Sequence, residues 1–191
     1  MKKHLIITVI IASCNLAISQ SNCSKKGMLY NSFENYLAKR AIDSVCLDNP
    51  INKLFLKSQN LVIEEAGTVR KFKNDGGIWG FTRGKEFFRY LDQEKVFGFC
   101  WFARVISISD GFVLYSSTEI DTYGIELNIE YFYSLGINSP AHSLKIKNLE
   151  NDFQSTEFLT QIKNMYSLYD QDSSGNYLIF SLYNNYSTRK K

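Results

Sequence analysis

The chain is poor in several things that chemistry usually needs. Its 191 residues include only two His, four Cys and two Pro. His4 lies in the N-terminal segment, which leaves His142 as the one imidazole beyond it. A single His cannot build a His-based zinc site, and no Cys-x-x-Cys pair is there to replace it. No Gly-x-Ser-x-Gly elbow presents a serine nucleophile. Gly76-Gly77 and Gly80 lack the Lys-Ser/Thr and following helix of a phosphate loop. Charge of one sign is scarce too. With 22 Lys and Arg against 19 Asp and Glu the formal net charge is +3, far from the basic excess with which a nucleic-acid binder displaces counterions. No apolar run approaches the ~18 residues of a membrane-spanning helix. An ordinary 45% of hydrophobic residues excludes a collagen-like, mucin-like or disordered chain.

What is present at the start is an export pattern. Met1-Lys2-Lys3-His4 is a short basic opening, Leu5 to Ala12 is apolar apart from one Thr, and Ala17-Ile18-Ser19 supplies small residues before Gln20. That order predicts a signal peptide over residues 1–19 and a single secreted β-rich domain over 20–191, periplasmic or extracellular. A competing cut is written into Ile11-Ala12-Ser13-Cys14, which fits a lipobox. Lipidation of Cys14 would make the protein an outer-membrane lipoprotein. Loss of Lys2 and Lys3 brings the mature balance to 20 basic against 19 acidic residues, close to neutral.

Three Cys then remain, so an oxidising compartment permits at most one intramolecular pair. Cys23 with Cys46 is the expected disulfide, and closing that loop would contribute about 3 kcal/mol. Cys100 sits in Phe97-Gly98-Phe99-Cys100-Trp101-Phe102 and reads as a buried thiol.

The patterning predicts an α+β fold: a mainly antiparallel meander of about seven strands, with a short N-terminal helix and a C-terminal helix packed on it. Asn31 or Ser32 can cap a helix carrying Phe33, Tyr36 and Leu37 on one side. Leu54–Ile63, Val69–Lys73, Ile78–Phe81, Glu86–Leu91 and Val96–Ser109 read as strands. Asp110-Gly111 is a hairpin turn. A two-residue turn there sets Ile108 opposite Val113 and Ile106 opposite Tyr115, all four on one face. Ile125, Leu127, Ile129, Tyr131 and Tyr133 alternate with polar residues, which predicts a strand with one buried face. Ser155 caps a helix through Phe158, Leu159, Ile162, Met165 and Tyr166, and Tyr177–Tyr183 reads as a last strand.

Carboxylate pairs are the catalytic option this composition leaves open. Glu64-Glu65, or Glu119 with Asp121, could flank a glycosidic bond. A Cys100–His142 pair would need a reactive thiol in a core-like strand. Solvated strand-end charges are the commoner role for such carboxylates, so no catalytic, metal or cofactor residue is assigned.

Three patches together carry a likeness. They are Lys26-Gly27-Met28-Leu29-Tyr30-Asn31-Ser32-Phe33-Glu34-Asn35-Tyr36; Ile78-Trp79-Gly80-Phe81 with Phe88-Arg89-Tyr90; and Tyr131-Phe132-Tyr133-Ser134 running into Asn138-Ser139-Pro140. In these the chain resembles a group of uncharacterised small secreted proteins of Bacteroidota-type bacteria, departing at Asn35-Tyr36, where Asp-Phe is usual. The Gly76–Phe81 run is also similar to one copy of a Trp-Gly β-repeat. The resemblance implies structural roles for Gly27, Tyr30, Phe33, Trp79, Gly80 and Phe81, and brings no catalytic residues with it.

The expectation is therefore an exported, non-enzymatic binding or structural module of the envelope or exterior. Its partner would be an envelope protein or a glycan, with no nucleic acid and no transmembrane helix in the mature chain. The alternatives are a carboxylate-based glycan hydrolase and a lipid-anchored surface component.

Overall fold

The computed structural model describes residues 23–57, 60–72, 77–91, 102–120 and 126–188. Its main element is an eight-stranded antiparallel sheet in the order β11-β10-β9-β8-β7-β6-β1-β2. These strands are β1 (Lys26–Tyr30), β2 (Asp43–Cys46), β6 (Gly80–Arg83), β7 (Glu86–Tyr90), β8 (Phe102–Ser109), β9 (Phe112–Ile120), β10 (Glu126–Ser134) and β11 (Ala141–Ser143). A second sheet holds β3 (Lys53–Lys57), β4 (Asn60–Glu65) and β5 (Thr68–Phe72). The helices are α1 (Phe33–Leu37), α2 (Ile146–Asp152), α3 (Thr156–Lys163) and α4 (Leu178–Thr188).

The α+β class and the mostly antiparallel pairing are as the patterning predicts, and the details are corrected: β1 lies between β6 and β2, so the sheet is not a simple meander, and four described helices stand where two were expected. Two sheets of eight and three strands replace one of about seven. Leu54–Ile63 is not one strand. It is the paired β3 and β4, with Leu54 opposite Ile63. Tyr177–Tyr183 is not a strand either, because Ile179, Leu182, Tyr183 and Tyr186 fall on one stripe of α4 and pack into the core. A short apolar run satisfies both periods, and here the helical one wins.

Register explains how the sheet is covered. The pairs Leu29↔Phe81, Phe81↔Phe88, Phe88↔Arg104 and Arg104↔Ser116 trace one face across five strands. Leu114 and Phe112 continue that face on β9, and Tyr133 lies opposite Leu114. At the β1–β7 end, Leu29, Val45 and Phe81 meet Leu54, Leu61 and Ile63 of the small sheet. At the β8–β10 end, Phe112, Leu114 and Tyr133 meet Leu149, Phe158, Ile162, Ile179 and Tyr183 of the helices. The reverse face buries Ala103, Val113, Tyr115 and Phe132. There Arg89, 6% exposed, donates to Tyr115 Oη at 2.6 Å and to the Ser139 carbonyl at 2.9 Å.

Two packing expectations fail for local reasons. A β-bulge between Val105 and Ser107 puts Val105, not Ile106, opposite Tyr115 and turns Ile106 toward the helical core. Ile108 does pair with Val113, yet it is 49% exposed. On β10, Tyr133 and Phe132 are buried while Ile129 is 51% exposed. The strand overruns the helices that cover its far end, so period two alone does not bury Ile129. Ile125 and the side chain of Leu127 lie outside the described residues.

Glycine is required where backbones or sheets come close. A Cβ on Gly27 would lie 2.6 Å from Leu54 Cδ2, so the small sheet packs onto β1 through that absent side chain. Gly111 has φ +80°, and a Cβ there would meet Tyr183 Oη at 2.5 Å. The same hydroxyl donates to the Asp110 carbonyl at 2.9 Å, docking the hairpin tip on α4.

Candidate functional site

Ser32 starts the site by capping α1, its hydroxyl accepting from Asn35 N at 3.2 Å. The cap fixes where Phe33 and Tyr36 point, which is onto the reverse face of β1, β6 and β7. Tyr36 stacks on Phe87 with centroids 4.3 Å apart and planes at 13°, and meets the Tyr30 ring edge-on at 5.3 Å. Trp79 lies 5.5 Å from Phe33 and 5.6 Å from Phe87. Gly80 makes this stack feasible, since a Cβ there would come within 2.7 Å of the Phe88 carbonyl and 3.1 Å of the Phe87 ring. Tyr30 and Phe87 are buried, whereas Phe33, Tyr36 and Trp79 stay partly at the surface. Leu37 beside them is 63% exposed.

Next to this stack lies an open groove of about 570 Å³, lined by Tyr36, Lys85, Glu86, Phe87 and the run Arg104–Ile108. Its volume is within the range of ligand sites. Its charges are ordered. Glu86 is held on one oxygen by Arg83 at 3.1 Å and on the other by Arg104 at 3.5 Å, and Lys85 is exposed. Three cations against one carboxylate leave this rim positive.

The residues singled out by sequence are scattered relative to this groove. Gly27, Tyr30, Phe33, Trp79, Gly80 and Phe81 are brought together around β1 and β6, five of them paired, adjacent or stacked. Cys23 and Cys46 are bonded, with Cα atoms 5.8 Å apart, across the mouth of the β1–β2 pair. The Asp48 carboxylate beside them accepts from Ser24 N at 2.6 Å and Lys25 N at 2.9 Å, which holds it below the usual carboxylate range. Glu64 and Glu65 are consecutive on β4, so their side chains leave opposite faces and cannot flank one bond. Glu65 is also engaged by Arg70 at 3.2 Å. Cys14, Cys100, Asp121 and the side chain of Glu119 lie outside the described residues.

Sequence reasoning missed one cluster altogether. His142 stands on β11, and its Nδ1 donates to Asp152 Oδ2 at 2.7 Å, while Tyr133 Oη donates to the same oxygen at 2.5 Å. Burial first, and then the bond to Asp152, push the Tyr133 hydroxyl far above its ordinary pKa. The missing signal was α2, which carries Asp152 ten residues beyond His142 and has no capping side chain to announce it. An oriented His–Asp pair supplies two of the three members of a nucleophilic triad. Among the described residues, no Ser, Thr or Cys hydrogen-bonds to His142, and the cluster ties β10 and β11 to α2.

A second unforeseen pattern is Asp170-Gln171-Asp172-Ser173-Ser174-Gly175, which opens like a calcium loop. The twelfth position falls on Ser181 instead of a bidentate Glu. Asp172 already accepts from Ser174 N at 2.8 Å and Asn176 N at 2.9 Å, closing the turn into α4.

No family model, no curated protein and no solved structure matches the chain. Among the described residues, no helix is long and apolar enough to cross a membrane.

Proposed function

We propose that the protein is an exported, non-enzymatic binding module of the cell envelope or exterior, and that the groove beside α1, β7 and β8 is its binding surface. One observation carries the reading: a four-ring stack, Phe33, Tyr36, Trp79 and Phe87, ends at the surface on the rim of an open, positively charged groove. Large rings left partly wet forgo burial energy of about 25 cal/mol per Å², and a contiguous patch of them marks a surface that a partner covers. Export is supported by the basic, apolar and small-residue order of residues 1–19 and by a disulfide suited to an oxidising compartment. The likeness to small secreted Bacteroidota-type proteins points the same way.

Two measurements test this. Intact mass of the exported protein is expected to show a chain beginning at Gln20; a diacylated Cys14 would establish the lipid-anchored alternative instead. Co-sedimentation with isolated cell envelopes is expected to weaken at least tenfold in Tyr36→Ala while the fold is retained. Equal binding by that variant would remove the groove from the function.

A further inference from the structure

The groove follows the edge of a strand, and this tells what kind of ligand fits it. Successive residues of a strand point to opposite faces. A cavity on a face would touch every second residue, yet this one touches Arg104, Val105, Ile106, Ser107 and Ile108 in succession. Ile106 packs toward the helical core and Val105 toward the reverse-face core, confirming that both sides of the strand border it. The pairing between β7 and β8 stops at Phe88↔Arg104. Beyond that pair no β7–β8 bridge forms: Phe87 and Glu86 of β7 run on as the opposite wall of the groove, and among the described residues no other strand lies against that side of β8. Among the described residues Val105–Ser109 makes no pairing on that side, a stretch about 16 Å long at roughly 3.3 Å per residue.

Exposed edges invite pairing with another chain, and proteins blunt them with charge or by keeping them short. The outermost strands here are blunted, and the stretch of β10 that β11 leaves uncovered carries the exposed Glu130. β3 carries Lys53, β5 carries Arg70 and Lys71, and β11 is three residues long. β2 is bonded through Cys46 and clasped by the Arg70–Asp43 pair at 3.1 Å. Val105-Ile106-Ser107-Ile108-Ser109 has no charge and no proline. Its neighbours Arg83, Lys85 and Arg104 outnumber Glu86, so the surroundings favour a negative occupant.

We infer that this unpaired stretch of β8 binds an extended acidic peptide segment of a partner protein, which adds to the sheet as a further strand in the groove. The inference rests on the proposed binding role and names its ligand class. Main-chain bonds to β8 would supply affinity, and Tyr36, Phe87 and Ile108 would receive alternate side chains of the guest strand.

The test is selection of a random twelve-residue displayed peptide library on the 20–191 chain, followed by titration of the winning peptides in soluble form. Enriched peptides are expected to be acidic and rich in β-branched residues. Methylating alternate backbone nitrogens of such a peptide is expected to abolish binding, and Lys85→Glu with Arg104→Glu to weaken it at least tenfold. Circular dichroism checks that the double variant is folded, and the methylated peptide tests strand addition on the unaltered chain. Absence of enrichment, peptides without acidic bias, or peptides indifferent to methylation would overturn the inference. Should peptides fail while envelopes still bind in a Tyr36-dependent manner, the strand-addition inference falls and the binding role stands. Envelope binding indifferent to Tyr36→Ala removes both.

Discussion

The two ends of the eight-stranded sheet use the same kind of residue for opposite purposes. At the β8–β10 end, Phe112, Tyr133, Phe153, Phe158 and Tyr183 are enclosed by three helices, and their rings meet one another at 4.8 to 6.4 Å. Their hydroxyls are also committed, Tyr133 to Asp152 and Tyr183 to the Asp110 carbonyl. At the β1–β7 end, Phe33 and Tyr36 of the five-residue α1 pack just as closely with Trp79, but no further element encloses them among the described residues and all three stay partly wet. The lesson is that aromatic content does not distinguish a core from the proposed binding surface. Enclosure and the fate of the polar atoms do.

That contrast can be broken most forcefully at the helical end. Phe112→Ala removes the ring on which Tyr133, Phe153 and Tyr183 converge, and should cost about 3–5 kcal/mol in denaturant unfolding. The strand-covered end is held instead by a covalent tie. Replacing Cys23 and Cys46 together by Ser should cost about 3 kcal/mol, through loss of a loop closure spanning 23 residues.

Alkaline titration probes the buried hydroxyls of both ends without mutation. Burial raises Tyr133, Tyr115 and Tyr30, and burial with the neighbouring Tyr177 hydroxyl pushes Tyr131 up to about 12. A tyrosine whose folded pKa exceeds its unfolded value near 10 keeps its proton in the native state after the unfolded chain has lost it. Its contribution is complete below pH 10 and disappears as pH rises from 10 through the folded value, at about 1.4 kcal/mol per pH unit for each such group. Stability should therefore fall between pH 10 and 12, and Tyr133→Phe should make that fall shallower. An unchanged slope in Tyr133→Phe would show that this hydroxyl is not protected by its surroundings.

The smallest stability change is expected where the functional one is largest. Tyr36→Ala loses one stacked, partly exposed ring and should cost about 1 kcal/mol. A loss near that of Phe112→Ala would place Tyr36 in the core and erase the distinction between the two ends.

Much of this architecture is legible in the chain. The Ser32 and Ser155 caps, the Asp110-Gly111 hairpin and the strand before Pro140 can all be read from local pattern, because each depends on neighbours in sequence. What could not be read depends on partners far along the chain. β1 and β2 are short, and Gly27 is buried only because Leu54 arrives from another sheet. Tyr177–Tyr183 suits strand or helix until α3 packs beside it. The groove was not legible at all, since it arises where the β7–β8 pairing stops, and no residue type marks the end of a pairing. Trp79 and Tyr36 were visible as aromatics, but their exposure was not.

Amide hydrogen exchange across β8 tests the central claim most directly. Alternate amides of Val105–Ser109 should exchange rapidly in the free chain, although they belong to a strand, and become protected when a selected acidic peptide binds. Amides of β9 and α3 should not change. Slow exchange throughout Val105–Ser109 in the free chain, or protection gained at α3 and α4 instead, would contradict the assignment of this edge as the binding surface.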